Sequence, residues 1–175
     1  VIDASFLSKK ELQNFIHEQI IDAKRKDVLF SLHLKATMMK VSDPIIFGHF
    51  VRVFYEPVLQ KHKKIVDNLG INFNNGIGEF FEKLEKNTEI TPQKKDEIDS
   101  DIRELYFQRP NLAMVDSDIG ITNLHFPNNI IIDASMPAAI KSSGKMFGKD
   151  GNLYDTKFVI PDSSYAPLYK ATIEN

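Results

Sequence analysis

Residues 28–34, Val-Leu-Phe-Ser-Leu-His-Leu, constrain the fold of this chain more than any other stretch. The run is too continuously apolar for a strand with one wet face, so it reads as a buried strand of a parallel sheet. Such a strand needs cover on both sides, and the flanking sequence offers it. Ser8 and Glu11 form a capping box, after which Leu12, Phe15, Ile16, Ile20 and Ala23 share one helical face. The charged break Lys24-Arg-Lys-Asp27 then separates that helix from the strand.

Beyond the strand the alternation continues. Ser42 or Asp43 is placed to cap a helix with Pro44 at its first position, and Ile46, Phe47, Phe50, Val51 and Phe54 form its apolar face. Pro57 is expected to kink or end it, and Gly70 to close the next helical stretch. Asn74-Asn75-Gly76 reads as a turn before a helix carrying Phe80, Phe81 and Leu84. Thr91-Pro92 starts another helix, with Ile98, Ile102, Leu105 and Tyr106 inward, and Arg109-Pro110 stops it. Leu112–Val115 and Ile130–Ile132 read as two further buried strands, each ending in aspartate. Lys149-Asp-Gly-Asn152 signals a hairpin turn. Pro161-Asp162-Ser163 begins a last helix that reads as still running at Asn175. Together these predict one α/β domain over residues 1–175, with a largely parallel sheet flanked by helices. Gly76-Ile-Gly78 lacks a third glycine, so no Rossmann dinucleotide fingerprint is present and these glycines read as turn and helix-start residues.

Bulk properties exclude several classes of function. A net charge of -2 and no basic-aromatic pattern give no reason to expect nucleic acid. No apolar run approaches the roughly 18 residues of a membrane span, and nothing resembles a signal peptide. With no cysteine there are neither disulfides nor thiolate metal sites, which fits a reducing, cytoplasmic setting. Val1 at the start and the helical ending together suggest a piece of a longer protein.

In an open α/β sheet, ligands bind beyond the carboxyl ends of strands. Three such ends carry polar chemistry here: Lys35 to Lys40, Asp116 to Asp118, and Asp133 with Ser135. Lysine and aspartates converging on one rim suit an anionic substrate held with a divalent cation, since Mg²⁺ and Mn²⁺ favour carboxylate oxygen. The bland alternative is that exposed strand ends and helix caps are simply rich in such residues. Asp116-Ser-Asp118 reads first as a turn, because Asp and Ser bond their own backbone. His17, His33, His49, His62 and His125 lack metal-ligand spacing and read as surface or strand residues. Neither a nucleophile elbow nor a catalytic cysteine is present.

The stretches LFSLHLKATMMKVSDPIIFGH, NNGIG, LAMVDSDIGITNLH, IIIDASMPAAI, SGKMFG and VIPDSSYA together resemble the monomeric class of NADP-dependent isocitrate dehydrogenase. The resemblance runs along nearly the whole chain and is weakest from Glu82 to Arg109. It implies an internal part of the large domain of a chain several times longer, with an isocitrate/isopropylmalate dehydrogenase-like fold. The implied reaction is the oxidative decarboxylation of isocitrate to 2-oxoglutarate, a step of the tricarboxylic acid cycle, with NADP and Mg²⁺ or Mn²⁺.

Met38-Met39-Lys40-Val41 resembles the hydrophobic segment that leads, in dimeric-class isocitrate dehydrogenases, to a substrate-touching lysine. By that resemblance Lys40, rather than Lys35, takes the roles of substrate contact and proton-transfer partner. Ile132-Asp133-Ala134 resembles the surroundings of the family's metal-ligand aspartate, which favours Asp133 over Asp116 or Asp118 as the ligand. The family's substrate-binding arginines, catalytic tyrosine, other metal aspartates and NADP-phosphate contacts match nothing in this chain. Its partners are therefore expected to be isocitrate and the remaining domains of the same polypeptide, and alone it is expected to be inactive. The competing expectation is a non-catalytic structural or interaction module that keeps the family scaffold.

Overall fold

The computed structural model describes residues 6–35, 41–162, 170 and 174. Helix α1 (Lys9–Lys26) starts where the capping box predicts, Ser8 Oγ accepting the Glu11 N–H. Leu12, Ile16, Ile20 and Ala23 form its buried face, and Asp27 turns the chain in a left-handed conformation. Strand β1 (Leu29–Leu32) follows and is buried at every position.

Helix α2 (Ser42–Phe54) begins earlier than Pro44 and has no side-chain cap, because the Asp43 carboxylate is drawn inward to other donors. Short helices α3 (Glu56–Lys61), with Pro57 in its first turn, and α4 (Lys63–Leu69) lead to the left-handed Gly70. Helix α5 (Gly78–Lys86) follows a 3₁₀ turn at Phe73–Asn75. At Gly76 φ is 93°, and a Cβ would stand 2.0 Å from the His125 carbonyl oxygen, so a side chain is excluded twice over. Helix α6 (Pro92–Gln108) is capped by Thr91 and stops at Arg109.

The remaining elements are smaller. Strands β2 (Met114–Asp116) and β3 (Ile121–Thr122) form an antiparallel pair. Helix α7 (Ile132–Lys141) precedes β4 (Lys145–Phe147) and β5 (Leu153–Val159), joined by the expected hairpin turn. The helix expected after Pro161 falls mainly on residues outside those described.

The architecture is α/β, as expected, but its sheets are small and mixed: β1 pairs β5 in parallel, and β5 pairs β4 antiparallel. Among the described residues, parallel pairing is confined to the surroundings of β1. On one edge β5 runs in register from Leu29↔Thr156 to Leu32↔Val159. On the other edge three separate pieces of chain take turns. Phe30 bridges Leu112, the Asn123 side chain serves Leu32, and Leu34 bridges Ile131. Asn123 Oδ1 accepts the Leu32 N–H at 2.6 Å and its Nδ2 donates to the Leu32 carbonyl at 3.0 Å. A buried amide thus stands in for a missing strand, because buried backbone groups must find partners.

Two predicted strands are corrected by this arrangement. Residues 130–132 contribute a single rung and then turn directly into α7, where the helix formers Ala134, Met136 and Ala138 take over. Of the other run, Leu112 makes one bridge, while Val115 is exposed on the bulged β2–β3 pair.

The alternation of side chains along β1 separates two environments. Phe30, Leu32 and Leu34 enter the hydrophobic core, where the Phe30 ring lies 6.2 Å from Phe50 and 6.1 Å from Phe54 of α2. Each such fully buried side chain contributes roughly 1.5–3 kcal/mol relative to exposure. Ser31, His33 and Lys35 alternate onto the opposite face.

Candidate active site

The polar face of β1 meets the first turn of α7. The Lys35 ammonium forms an ion pair with the Asp133 carboxylate, both side chains being partly exposed. One step further in, His33 is wholly buried between two serines: its Nε2 lies 2.8 Å from Ser31 Oγ and its Nδ1 2.6 Å from Ser135 Oγ. Burial pushes the His33 imidazole down to about 4, so at neutral pH the ring is uncharged and matches the hydroxyls on either side. The Phe158 ring of β5 closes over it, with centroids 5.2 Å apart.

Asp133 is in a helix, not at the end of a strand as predicted. Placement in the first turn suits an anion, because the helix dipole favours negative charge there. Pro137 has no N–H to offer the Asp133 carbonyl four residues back, so this turn lacks one of its helical bonds.

The same rim includes the start of α2. The Asp43 carboxylate is fully buried; Oδ2 accepts the Lys35 N–H at 3.0 Å and Oδ1 the Ser42 hydroxyl at 3.1 Å. Asp43 therefore ties the chain at Lys35 to the start of α2 at Ser42 and Asp43. Lys40 itself lies among residues 36–40, outside the described residues. Asp116 stands apart from these residues as a turn former: its Oδ1 accepts the N–H groups of Asp118 and Ile119.

Sequence reasoning brought Lys35, Asp133 and Ser135 to one rim and missed His33, Ser31 and Asp43. The signal was present in the polar residues at positions 31, 33 and 35, spaced by two inside an otherwise apolar run. Treating the run as uniformly apolar hid that second face.

A divalent cation fits the donor set at Asp133 to a limited extent. The carboxylate is half-exposed, is oxygen-only as hard cations require, and already has a cation as its neighbour. One carboxylate is too few for a complete site. Among the described residues, His62, Glu97 and Asp101 alone group three possible metal-ligand atoms within 4.8 Å of one another, and they belong to α6 and the α3–α4 junction.

A buried parallel strand with a lysine and an aspartate paired on the rim at its exit marks an α/β protein, and strand exits are where such proteins commonly bind ligands. Comparison with known proteins makes that class specific. The family described as monomeric isocitrate dehydrogenase matches over residues 1–175, and the chain belongs to that family. It is 54% identical to the NADP isocitrate dehydrogenase of Azotobacter vinelandii over 175 residues, covering 100% of this chain and 23% of the relative. Isocitrate dehydrogenase [NADP] 2 of Colwellia maris is 52% identical over 174 residues, or 99% of this chain and 23% of the relative. The Corynebacterium glutamicum NADP isocitrate dehydrogenase is 46% identical over 175 residues, again 100% and 23%. The chain thus spans about a quarter of the length of these relatives.

Proposed function

We propose that this chain forms part of the large domain of an enzyme that oxidatively decarboxylates isocitrate to 2-oxoglutarate, reducing NADP⁺ with Mg²⁺ or Mn²⁺ present. The enzyme acts in the cytoplasm as a monomer, and its fold is isocitrate/isopropylmalate dehydrogenase-like. The observation that supports this best is the Asp133 carboxylate presented beside Lys35 at the exit of β1, five residues before Lys40. Asp133 is the metal ligand contributed by this chain. Asp133 would hold a divalent cation there, which would supply Lewis-acid polarisation of substrate oxygens.

The chain's own residues have separate tasks. Lys40 contacts the substrate and takes the proton of the hydroxyl being oxidised while that carbon's hydrogen leaves as hydride to NADP⁺; the step requires a neutral amine, which neighbouring cations favour. Lys35 neutralises Asp133 and keeps its carboxylate at the rim. Asp43 joins the chain that precedes the segment carrying Lys40, at Lys35, to the helix that follows it, at Ser42. The remaining substrate, metal and NADP contacts belong to the rest of the polypeptide, so the 175 residues alone turn nothing over.

The test is Lys40→Met in the complete enzyme. Methionine keeps most of the stem volume and deletes the cation, so kcat falls about 10²- to 10⁴-fold, roughly 2.7 to 5.4 kcal/mol of transition-state stabilisation. Lys35→Met, at saturating metal, costs far less. A folded Lys40→Met enzyme within about threefold of the parent removes Lys40 from proton transfer. A damaging Lys35→Met beside it moves the role to Lys35.

A further inference from the structure

We propose that His33 is a positioning residue: with Ser31 and Ser135 it locks the first turn of α7 onto β1 and so fixes where the Asp133 carboxylate stands. The inference rests on the reading of Asp133 as a metal ligand and adds what holds that ligand in place.

Three observations carry it. The end of β1 and the approach to α7 are already joined by backbone bonds, Leu34 N–H to the Ile130 carbonyl at 2.9 Å and Ile132 N–H to the Leu34 carbonyl at 3.0 Å. Those bonds fix the chain up to residue 132; beyond it the helix is held by side chains, among them the buried Met136 and Ala139. His33 supplies a second fastening three residues further on, through Ser135 Oγ at 2.6 Å. Asp133 lies between the two fastenings.

The ring is itself constrained on both sides. Ser31 holds Nε2 at 2.8 Å, and Phe158 packs against the ring face. A neutral imidazole has one donor and one acceptor nitrogen, while each serine hydroxyl can play either part. The trio Ser31–His33–Ser135 is therefore satisfied in either tautomer, without bringing charge next to the Lys35–Asp133 pair. Among the described residues, the charged groups on this rim include that pair and the buried Asp43 carboxylate, which accepts the Lys35 N–H. A hydrophobic residue at position 33 would fill the space as well but would leave Ser135 unfastened.

Residues that orient a metal ligand typically alter metal affinity about 10- to 100-fold when removed. Because Ser135 acts through the helical turn rather than on the carboxylate directly, the low end applies. The experiment uses the complete enzyme and reads Mn²⁺ binding by electron paramagnetic resonance in the absence of turnover, alongside kcat at saturating Mn²⁺. Ser135→Ala is expected to raise the Mn²⁺ Kd about tenfold while kcat at saturating metal stays within about threefold. Ser135→Thr, which keeps a hydroxyl, restores the parent Kd. His33→Gln gives a Kd change like that of Ser135→Ala; should it fail to fold, the serine pair still decides.

Asp133→Asn separates this inference from the one beneath it. If that variant binds Mn²⁺ like the parent, Asp133 is not a ligand and the reading of the site is wrong. If Asp133→Asn loses Mn²⁺ but Ser135→Ala stays within twofold of the parent Kd, Asp133 is a ligand and His33 does not position it. A loss in Ser135→Ala that Ser135→Thr fails to restore also overturns the proposal, because hydroxyl chemistry is then irrelevant.

Discussion

His33 and His62 are both buried, one at the exit of β1 and the other at the junction of α3 and α4, and their surroundings differ in kind. His33 has two neutral partners, a serine hydroxyl at each nitrogen. His62 has a charged one: its Nε2 lies 2.6 Å from Asp101 Oδ2, while its Nδ1 is buried without a hydrogen-bond partner among the described residues. The Asp101 carboxylate is shared with the Lys61 ammonium at 2.7 Å, which holds it below the usual carboxylate range. Glu97 stands 3.8 Å from the same ammonium.

By ligand count alone the His62 cluster looks like the better metal centre, with one imidazole and two carboxylates close together. Its Asp101 carboxylate, however, is bonded to the His62 ring nitrogen beside it, and its geometry joins α6 to the α3–α4 corner. The comparison teaches that converging ligand types are not enough. At Asp133 the carboxylate sits on a rim and is braced from behind. At Asp101 it is spent on holding helices together.

The largest effect expected from this difference is on pH dependence. Native His33 stays neutral down to about pH 4, whereas the unfolded chain protonates it near 6.5. Between those values the unfolded state binds more protons than the native one, so stability falls as pH drops through the window and levels off beneath it. Across the full window the loss approaches about 3 kcal/mol. Burial also lowers His49 and His125, so the parent chain alone shows a composite slope. The readout is therefore the difference from His33→Gln: urea midpoints of the 175-residue chain should converge as pH falls from 6.5 to 4. Parallel curves for the two proteins would mean that His33 is not held neutral, and the contrast with His62 would lose its basis.

Much of this arrangement was legible before the fold. Capping at Ser8 and Thr91, the stops at Gly70 and Arg109 and the inward faces of α1, α2 and α6 all follow from local chemistry, which a single sequence displays. The strand at residues 29–32 was legible too, because continuous burial leaves a continuous apolar run. What was not legible depended on distant partners. Residues 130–132 looked like a strand because three isoleucines favour one, yet among the described residues only Leu34 bridges to them before α7 begins. Asp43 looked like a helix cap, since nothing local reveals that the Lys35 N–H needs an acceptor eight residues away. The Asn123 clamp on Leu32 crosses 91 residues and leaves no periodic trace. His33 was hidden for the same reason, its second serine standing 102 residues further along the chain.

A middle-sized effect separates the two aspartates. Asp101→Ala leaves the buried His62 ring with neither nitrogen paired, and an unsatisfied buried polar group costs about 1–3 kcal/mol. Chemical denaturation of the 175-residue chain should show a loss of about 2 kcal/mol, with the Mn²⁺ affinity of the complete enzyme unchanged. Asp133→Asn should give the mirror image, weak Mn²⁺ binding with stability within about 0.5 kcal/mol of the parent, because partly exposed pairs contribute little. If Asp101→Ala instead weakens Mn²⁺ binding, the cluster on α6 belongs to the active site.

The smallest effect concerns Lys61, and it decides whether the α6 cluster can ever hold a metal. The Lys61 side chain is 53% exposed, so its pairs with Asp101 and Glu97 are screened by water, and Lys61→Met should leave the urea midpoint nearly unchanged. The structural role stays with the His62–Asp101 bond, which the substitution leaves intact. Zn²⁺ makes the test sharper, because it accepts imidazole and carboxylate together. With Lys61 in place, excess Zn²⁺ should leave the Tm of the parent chain unchanged: a binding ion would have to displace the ammonium from Asp101 and take Nε2 from its present bond. Ligand occupancy at a hundred times Kd would stabilise the chain by about 2.7 kcal/mol, a rise that thermal melting detects readily. Such a rise in the parent, lost in Asp101→Ala, would make the cluster a metal site and end the contrast with Asp133. A rise only in Lys61→Met would identify the lysine itself as what keeps metal out.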